Sequence, residues 1–423
     1  MSELQIKKIY QILQVYVGKE WSICNLEVVP LLPKGENYCT NVLGVSASLK
    51  PGEGKQARAI RAIAKCSVST GIFKIGFLNI YQREVNFYTR IIPCLKEFVR
   101  KHCNEDMEDM FPEFYGCSDQ PQKATADSIL LIEDLTTKGF EIKDRFVGYD
   151  YDEIQAVLKT VAFFHGVSLA MKIKDPISFE ANIKSLSQID LFSREVMERL
   201  WEMVPDVEQD NESNAKLLLQ ILEDYHIPQQ YIHKMANFLA SQYLPFAGEK
   251  LHTVPGTEPF STLIHNDLWI NNIMHIIRNG STSETKLIDF QMYRYNHPAN
   301  DLMHLLFTSV KHAVLKEHLD DLIEFYYKEL ITSLLRMECD ISGFEKQQFF
   351  KDINVSMEAV FGHIIYMILF VVFGKRKSDS DNYEPPSIKG KNDDIPEEAK
   401  KNFCFLVEQV FKRNWCIGID GLQ

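Results

Sequence analysis

The sequence predicts an α+β protein of two lobes: a small β-rich N-terminal lobe over residues 1–135 and a larger, mostly helical C-terminal lobe over 136–423. Three observations predict this. Short apolar runs separated by turn signals fill the first part, and the spacing of apolar residues turns helical in the second. The third is length, because 423 residues are too many for one compact hydrophobic core.

The first element is a helix, since apolar residues at 4, 6, 9, 12, 13 and 16 form one stripe. Strand-like runs follow at Ile23–Leu32, Tyr38–Leu49 and Ala57–Ser69, separated by the turn-forming stretches 33–37 and 51–54. Residues 80–92 change to helical spacing, with Val85, Tyr88 and Ile92 on one side. Strands are expected again at Glu113–Cys117 and Ser128–Asp134, the second an apolar run suited to burial. Helices are then expected at 152–173, 190–203, 212–225 and 228–244. A second β patch at 261–290 holds a hairpin, and helical patterns resume at 299–338, 345–373 and 397–413. The polar stretch 375–396 reads as a surface loop.

Composition narrows the function classes. With 45% hydrophobic and 25% charged residues, the chain is neither disordered nor fibrous as a whole. Asp and Glu (58) outnumber Lys and Arg (46), so a formal charge of −12 argues against nucleic acid as a partner. The basic triplet Lys375-Arg376-Lys377 reads as a solvated helix end. Nine cysteines with no CxxC pair fit reduced thiols and a cytoplasmic location better than a zinc ribbon or disulfide framework. The N-terminus lacks the apolar stretch of a secretory signal, so the N-x-S/T triplets at Asn211, Asn279 and Asn354 are expected to be unmodified. The longest apolar run, Ile364 to Phe373, is too short for a bilayer and reads as a buried helix. No membrane span and no obligate protein partner are expected.

The chemistry concentrates in HNDLWINNIM (265–274) and KLIDFQ (286–291). Asp267 sits in a loop directly after an apolar strand, Asn272 follows, and Asp289 ends the next strand. A hairpin brings those strand ends together, so Asn272 and Asp289 can share one Mg²⁺, a hard cation that takes oxygen donors. Asp267 is then free to accept a proton from an attacking hydroxyl. His-x-Asp alone is common; joined to the later Asn and the apolar-Asp-Phe at hairpin spacing, it is specific.

These segments closely resemble the ecdysteroid kinase-like (CHK kinase-like) family, relatives of the aminoglycoside and choline kinases in the protein-kinase-like superfamily. GENY (35–38), REVNFYTRIIPCL (83–95), LLIEDLTTKGF (130–140) and HPANDLMHLLFTS (297–309) are similar to family segments and lie in the same order. The resemblance implies a bilobal protein-kinase-like fold, with ATP and Mg²⁺ as cofactors. It makes Asp267 the catalytic base, with His265 orienting the catalytic loop, Asn272 and Asp289 binding the metal, and Asp301 holding the loop's backbone. It places the adenine hinge at Ile132–Leu135, where backbone groups of Glu133 and Leu135 would meet the base. It also implies a strand lysine that grips phosphates and pairs with a helix glutamate. Lys65, in an alternating run of small and apolar residues, and Glu84 fit, with Lys74 the next candidate and an edge-strand, solvent-facing Lys65 the plain alternative.

There are departures from the family pattern. The phosphate-capping loop offers one glycine, Gly35, ahead of Asn37 and Tyr38. Asn266 stands where the family usually has Gly, and Asn is the mildest replacement if the backbone is left-handed there. Gln291 occupies the place of the protein-kinase Asp-Phe-Gly glycine, and no long activation loop separates Asp289 from Asp301. The extra helices at 152–245 are where an acceptor pocket would form. Their aromatics (Phe163, Phe164, Phe192, Trp201, Tyr231, Tyr243) can be lining or, more simply, core. The expected activity is phosphorylation of an ecdysteroid or similar lipophilic alcohol or xenobiotic, as in detoxification. A cationic acceptor such as choline or an aminoglycoside, and a catalytically silent hormone- or nucleotide-binding protein, are the competing expectations.

Overall fold

Ser2 caps the first helix. Its hydroxyl accepts from the Gln5 N–H, while the Gln5 side chain accepts from the Ser2 N–H, and α1 (Glu3–Val17) follows. The computed structural model describes residues 2–31, 40–52, 56–67, 74–103, 107, 110–125, 127–188, 207–241, 257–278, 281–372 and 395–415. Helix α1 buries Ile9, Ile12, Leu13 and Val17, but Leu4 and Ile6, counted in the sequence stripe, stay largely exposed.

That buried stripe covers one face of a five-stranded antiparallel sheet. Its strands are β1 (Trp21–Pro30), β2 (Thr40–Pro51), β3 (Arg58–Ser67), β4 (Phe114–Cys117) and β5 (Ile129–Glu133), in the spatial order β1-β2-β3-β5-β4. Alternation decides which side chain faces where. In β3, Ala62, Ala64 and Cys66 join the core under α1, while Ile63 packs on the main core, so Lys65 also lies on the face away from α1. Strand β5 is buried on both faces: Ile129 and Leu131 lie under α1, Leu130 and Ile132 in the main core.

The helix expected at 80–92 is longer and interrupted. Helix α2 (Lys74–Asn86) passes into a π-helical turn, Phe87–Ile91, and then into α3 (Ile92–His102). A wide turn of this kind rotates the side chains that follow it.

The rest is mainly helical. Its described long helices are α4 (Tyr151–Lys174), α5 (Val207–Asp224), α6 (Gln229–Ser241), α7 (Ala299–Ser309), α8 (His312–Arg336), α9 (Lys346–Tyr366) and α10 (Glu397–Lys412). Among them sit the two-stranded pair β7 (Thr262–Ile264) with β10 (Arg294–Asn296), and the three-stranded sheet β6 (Glu141–Ile142), β8 (Ile273–Arg278), β9 (Ser281–Leu287). The β8–β9 hairpin is the one expected; the short β6 and β10 were not foreseen. The architecture is therefore α+β, β-rich first and helical after, as expected.

Helix α4 is the spine of the helical part, capped by Asp150 and Glu153 in the same reciprocal way as α1. It can approach α8 closely because residue 166 is glycine: a Cβ there would lie 2.5 Å from the Ser333 Cβ. The helical pattern expected over 299–338 is broken at Val310. The Tyr149 N–H donates to the Ser309 carbonyl (2.8 Å) and its carbonyl accepts from Lys311 (3.1 Å), which pulls the chain out of the helix. Among the described residues, two helical stretches, Tyr151–Lys174 and Lys346–Leu369, are long and apolar enough to cross a membrane; here 72% of each apolar window is buried inside the fold. The helix expected at 190–203 lies outside the described residues, as does most of the loop at 375–396.

Candidate active site

Strand β7 delivers His265-Asn266-Asp267 to the junction between the sheet and the helices. It is fastened to α4 from both sides of its chain, with the Thr262 hydroxyl donating to the His165 carbonyl (2.9 Å) and the Leu263 N–H to the Ser168 hydroxyl (3.2 Å). After the loop, a 3₁₀ turn (Ile270–Asn272) leads into β8. The Asn272 carbonyl accepts from the Ile288 N–H at 3.0 Å, which ties Asn272 to the residue before Asp289.

Within the loop, the Asn272 amide donates to the Asp267 carbonyl oxygen (2.7 Å) and to its Oδ2 (3.0 Å). Both contacts use Nδ2, so the amide oxygen, a hard donor, remains for another partner. Asn266 and Asp289 have φ of 64° and 67°, left-handed values that non-glycine residues seldom adopt. Asn266 is the expected tolerant residue. Asp289 is held there by its partners: Lys65 forms an ion pair with its Oδ1, and the Gln291 amide donates to its Oδ2 at 3.2 Å.

Lys65 thus reaches across from β3 to the segment after β9, and it also meets Glu84 of α2 at 2.6 Å. The three side chains are 12%, 3% and 24% exposed for Lys65, Glu84 and Asp289, so this is a sheltered charge cluster that solvent screens poorly. Burial alone would lower the lysine's affinity for its proton, but Asp289 and Glu84 together reverse that and hold it above its ordinary range. Burial pushes the Glu84 carboxyl up to about 7; the Lys65 charge opposes this and the Asp289 charge adds to it. Burial first, and the Asp289 charge second, also push Asp267 well above the ordinary carboxylate range. Two acids, Glu84 and Asp289, hold one ammonium and a third, Asp267, lies near enough to feel both charges, so the acids outnumber the cation that could keep them ionised. A divalent cation held by the Asp289 carboxylate and the Asn272 amide oxygen fits that surplus and that donor set.

The supporting parts are on the other side of the loop. Asp301, in the first turn of α7, accepts the His265 N–H at Oδ2 (2.6 Å) and the Asn266 N–H at Oδ1 (2.8 Å). The His265 ring donates from Nε2 to the Ile288 carbonyl (2.8 Å), and burial lowers its pKa, so it serves as a neutral strut between the loop and Asp289's strand. At the end of β5 the Glu133 N–H donates to the Glu113 carbonyl (2.8 Å), and its side chain meets Lys138 at 2.5 Å. Leu135 opens a 3₁₀ turn, where the first N–H has no partner within the turn.

Of the residues expected from sequence, Lys65, Glu84, Asp267, Asn272, Asp289 and His265 come together. Lys74 begins α2 and is not on β3. Gly35, Asn37 and Tyr38 lie outside the described residues, as do Phe192, Trp201 and Tyr243. Phe164 is core, packed edge-on to Phe111 and Phe290.

Sequence reading missed three supports. Arg83, fully buried, donates from Nε to the Gln291 carbonyl (3.1 Å) and lies over the Tyr293 ring. Phe87 stacks on Phe290 at 3.8 Å, so the helix carrying Glu84 grips the residue after Asp289. His165 bonds to Asp301 from α4. An imidazole inside an apolar helical run was the available signal for His165; Arg83, between Gln82 and Glu84, offered none.

No curated protein matches. Similar solved structures include the GDP complex of wild-type aminoglycoside 2'-phosphotransferase-IIIa (14% identity, TM-score 0.35, covering 84% of this chain and 98% of that one). Another is a GDP and kanamycin complex of an aminoglycoside phosphotransferase (14% identity, TM-score 0.34, covering 83% and 98%). The family model for the ecdysteroid kinase-like family matches residues 34–339, most of the chain. By that match the chain belongs to the ecdysteroid kinase-like family and is a small-molecule phosphotransferase.

Proposed function

We propose that the protein transfers the γ-phosphoryl group of ATP to a hydroxyl of an ecdysteroid or a similar lipophilic alcohol. The observation that carries this reading is the Lys65 bridge between Glu84 and Asp289, set beside the Asp267–Asn272 pair. Nothing in a purely structural seam calls for three converging carboxylates and one ammonium.

In this reading Lys65 grips the α- and β-phosphates, and Glu84 keeps its ammonium in place when the Asp289 contact gives way to metal and nucleotide. Asp289 and the Asn272 amide oxygen hold Mg²⁺, which when bound neutralises charge on the phosphates. Asn272 fixes Asp267 through Oδ2, leaving Oδ1 to accept the proton of an incoming hydroxyl. The Asp267 carboxyl must be ionised to do so, and cations gathered at the site draw its raised pKa back down. His265 and Asp301 keep the loop in register, and the Leu135 N–H is a hinge donor for adenine.

The test is a phosphoryl-transfer screen over ecdysteroids, plant glycosides, choline and aminoglycosides with ATP and Mg²⁺. A sterol or glycoside acceptor is expected to turn over, and Asp267→Asn to lower its kcat by about 10²–10⁴ while ATP still binds. Turnover confined to choline or aminoglycosides would move the reading to a cationic acceptor. Full turnover by the variant would remove Asp267 from the chemistry.

A further inference from the structure

Helix α7 turns two polar side chains inward whose hydrogen bonds are incomplete. His304 is 4% exposed and Asn300 3%, and a spacing of four residues puts them on one face of the helix. The His304 Nδ1 lies 3.0 Å from the carbonyl of Leu268, the residue after Asp267, while its Nε2 has no partner. The amide oxygen and amide nitrogen of Asn300 are both unpartnered as well. A buried polar atom without a partner costs stability, and leucine would serve packing better at either position.

The proton on His304 can be placed. A carbonyl only accepts, so Nδ1 carries the hydrogen donated to Leu268; burial keeps the ring neutral near pH 7, and Nε2 is then a bare lone pair. The two ring nitrogens diverge, so that lone pair points away from the Leu268 carbonyl. The ring stacks on His363 of α9, with centroids 5.0 Å apart and 17° between the planes, and His363 stacks in turn on Tyr366. His363 and Tyr366 are only partly buried, which puts His304 one ring beneath the surface. Directly after Tyr366 the helix opens into a π-helical turn, Met367–Val372, a rare geometry found mostly at functional sites.

These atoms ask for a particular chemistry. Nε2 needs a donor; the Asn300 amide needs a donor for its oxygen and an acceptor for its nitrogen. A hydroxyl group supplies both. A quaternary ammonium supplies neither. A primary ammonium would bring a charge with no carboxylate to meet it, because the buried residues of α9 from Ser356 to Ile365 are all apolar or small. Asp301, the acid of α7, is already taken up by His165 and by the His265 and Asn266 N–H groups.

We propose that His304 and Asn300 form a hydroxyl-recognition subsite where α7 and α9 meet beside the catalytic loop: it takes neutral hydroxyls of the acceptor remote from the one that is phosphorylated, and so selects a polyhydroxylated lipophilic molecule over a cationic one. The inference rests on the function proposed above and states what its acceptor must carry.

The experiment is calorimetric titration of the full chain with ecdysone, digitoxin, choline and kanamycin, beside thermal melts of the ligand-free protein. Wild type, Asn300→Leu and His304→Phe are compared. Leucine nearly keeps the volume of asparagine and removes both polar atoms; phenylalanine keeps a ring against His363 and removes the lone pair. Each variant is expected to bind the steroid at least about 10-fold more weakly. Asn300→Leu should at the same time melt a few degrees higher, because an unpaired amide has left the interior. A monodeoxy analogue lacking the recognised hydroxyl should bind the wild type more weakly by a similar factor and lose nothing further in Asn300→Leu. Unchanged steroid affinity in both variants would mean that water or packing meets these atoms, and overturns the subsite while leaving the proposed function in place. An equal loss for every monodeoxy analogue in wild type and variant alike overturns it too. If one variant does not fold, the affinity of the other decides. A wild type that binds neither steroid, whether or not it takes choline or kanamycin, sinks the acceptor class and the subsite together.

Discussion

Asp301, deeply buried, and Asp267, half-buried, lie on the two sides of one loop, and their surroundings push them in opposite directions. Burial opposes ionisation in each. At Asp301, hydrogen bonds from His165 and from backbone N–H groups outweigh burial, and the pKa falls below the ordinary carboxylate value. At Asp267 a single amide, from Asn272, faces burial and the neighbouring charge of Asp289, and the pKa rises. The supporting carboxylate is saturated with donors; the reacting one is left short of them. A group that must take up a proton during a reaction cannot also be fully satisfied at rest.

This contrast can be broken by experiment. The largest effect is expected at the saturated side. Asp301→Asn puts an NH₂ group among donors that need an acceptor, and should cost about 3 kcal/mol of stability as well as activity. Denaturant titration measures it; an unchanged midpoint would mean Asp301 is not the anchor its geometry indicates. Next is Gly166→Ala. The added methyl meets Ser333 at 2.5 Å, and forcing α4 and α8 apart should cost about 1–3 kcal/mol, partly restored by Ser333→Gly. At the reacting side the sign reverses. Asp267→Asn removes a carboxyl whose pKa the fold raises above its unfolded value, so near neutral pH and without metal its Tm should rise by roughly 2 °C even as activity is lost. A fall in Tm would show that Asp267 is as well satisfied as Asp301.

The smallest effect is in the pH profile. Burial holds His275 and His304 down to about 4 and His297 to about 3. At these three histidines the folded state therefore binds fewer protons than the unfolded chain below the ordinary histidine value of about 6.5, so their contribution lowers stability as pH falls from there toward 4, while the raised Glu84 and Asp267 carboxyls act in the opposite direction. Asp301, with a lowered pKa, keeps its contribution until the pH drops below about 4. Thermal melts between pH 7 and about 3 would separate a gradual loss, from the histidines, from a late one below about pH 4.

The reacting side was the legible one. Asp267, Asn272 and Asp289 lie within one hairpin, so their spacing in sequence is nearly their spacing in space. Lys65 and Glu84 could be paired because the family resemblance implies such a pair, and an ammonium in a run of small and apolar residues needs a carboxylate or phosphate to meet it. Supports contributed by distant helices were not legible. His165 and Tyr326 sit at helical spacing among apolar residues, and only the close approach of α4 and α8 shows that they touch. The π turn at Phe87–Ile91 leaves no local signature, because it is selected by the stacking of Phe87 on Phe290, which joins residues far apart in the chain. Helix existence was read well; helix ends, as at Val310, were decided by tertiary hydrogen bonds.

The Phe87–Phe290 stack and the Arg83 contact to the Gln291 carbonyl have a consequence for control. Many phosphotransferases are silenced by swinging the metal-binding aspartate outward on a pliable hinge. Doing so here would require peeling apart two face-to-face rings and breaking the buried Arg83 bond to the Gln291 carbonyl. A catalyst clamped in this way stands ready whenever its substrates arrive, so its output would follow how much of it the cell makes and how much acceptor it meets.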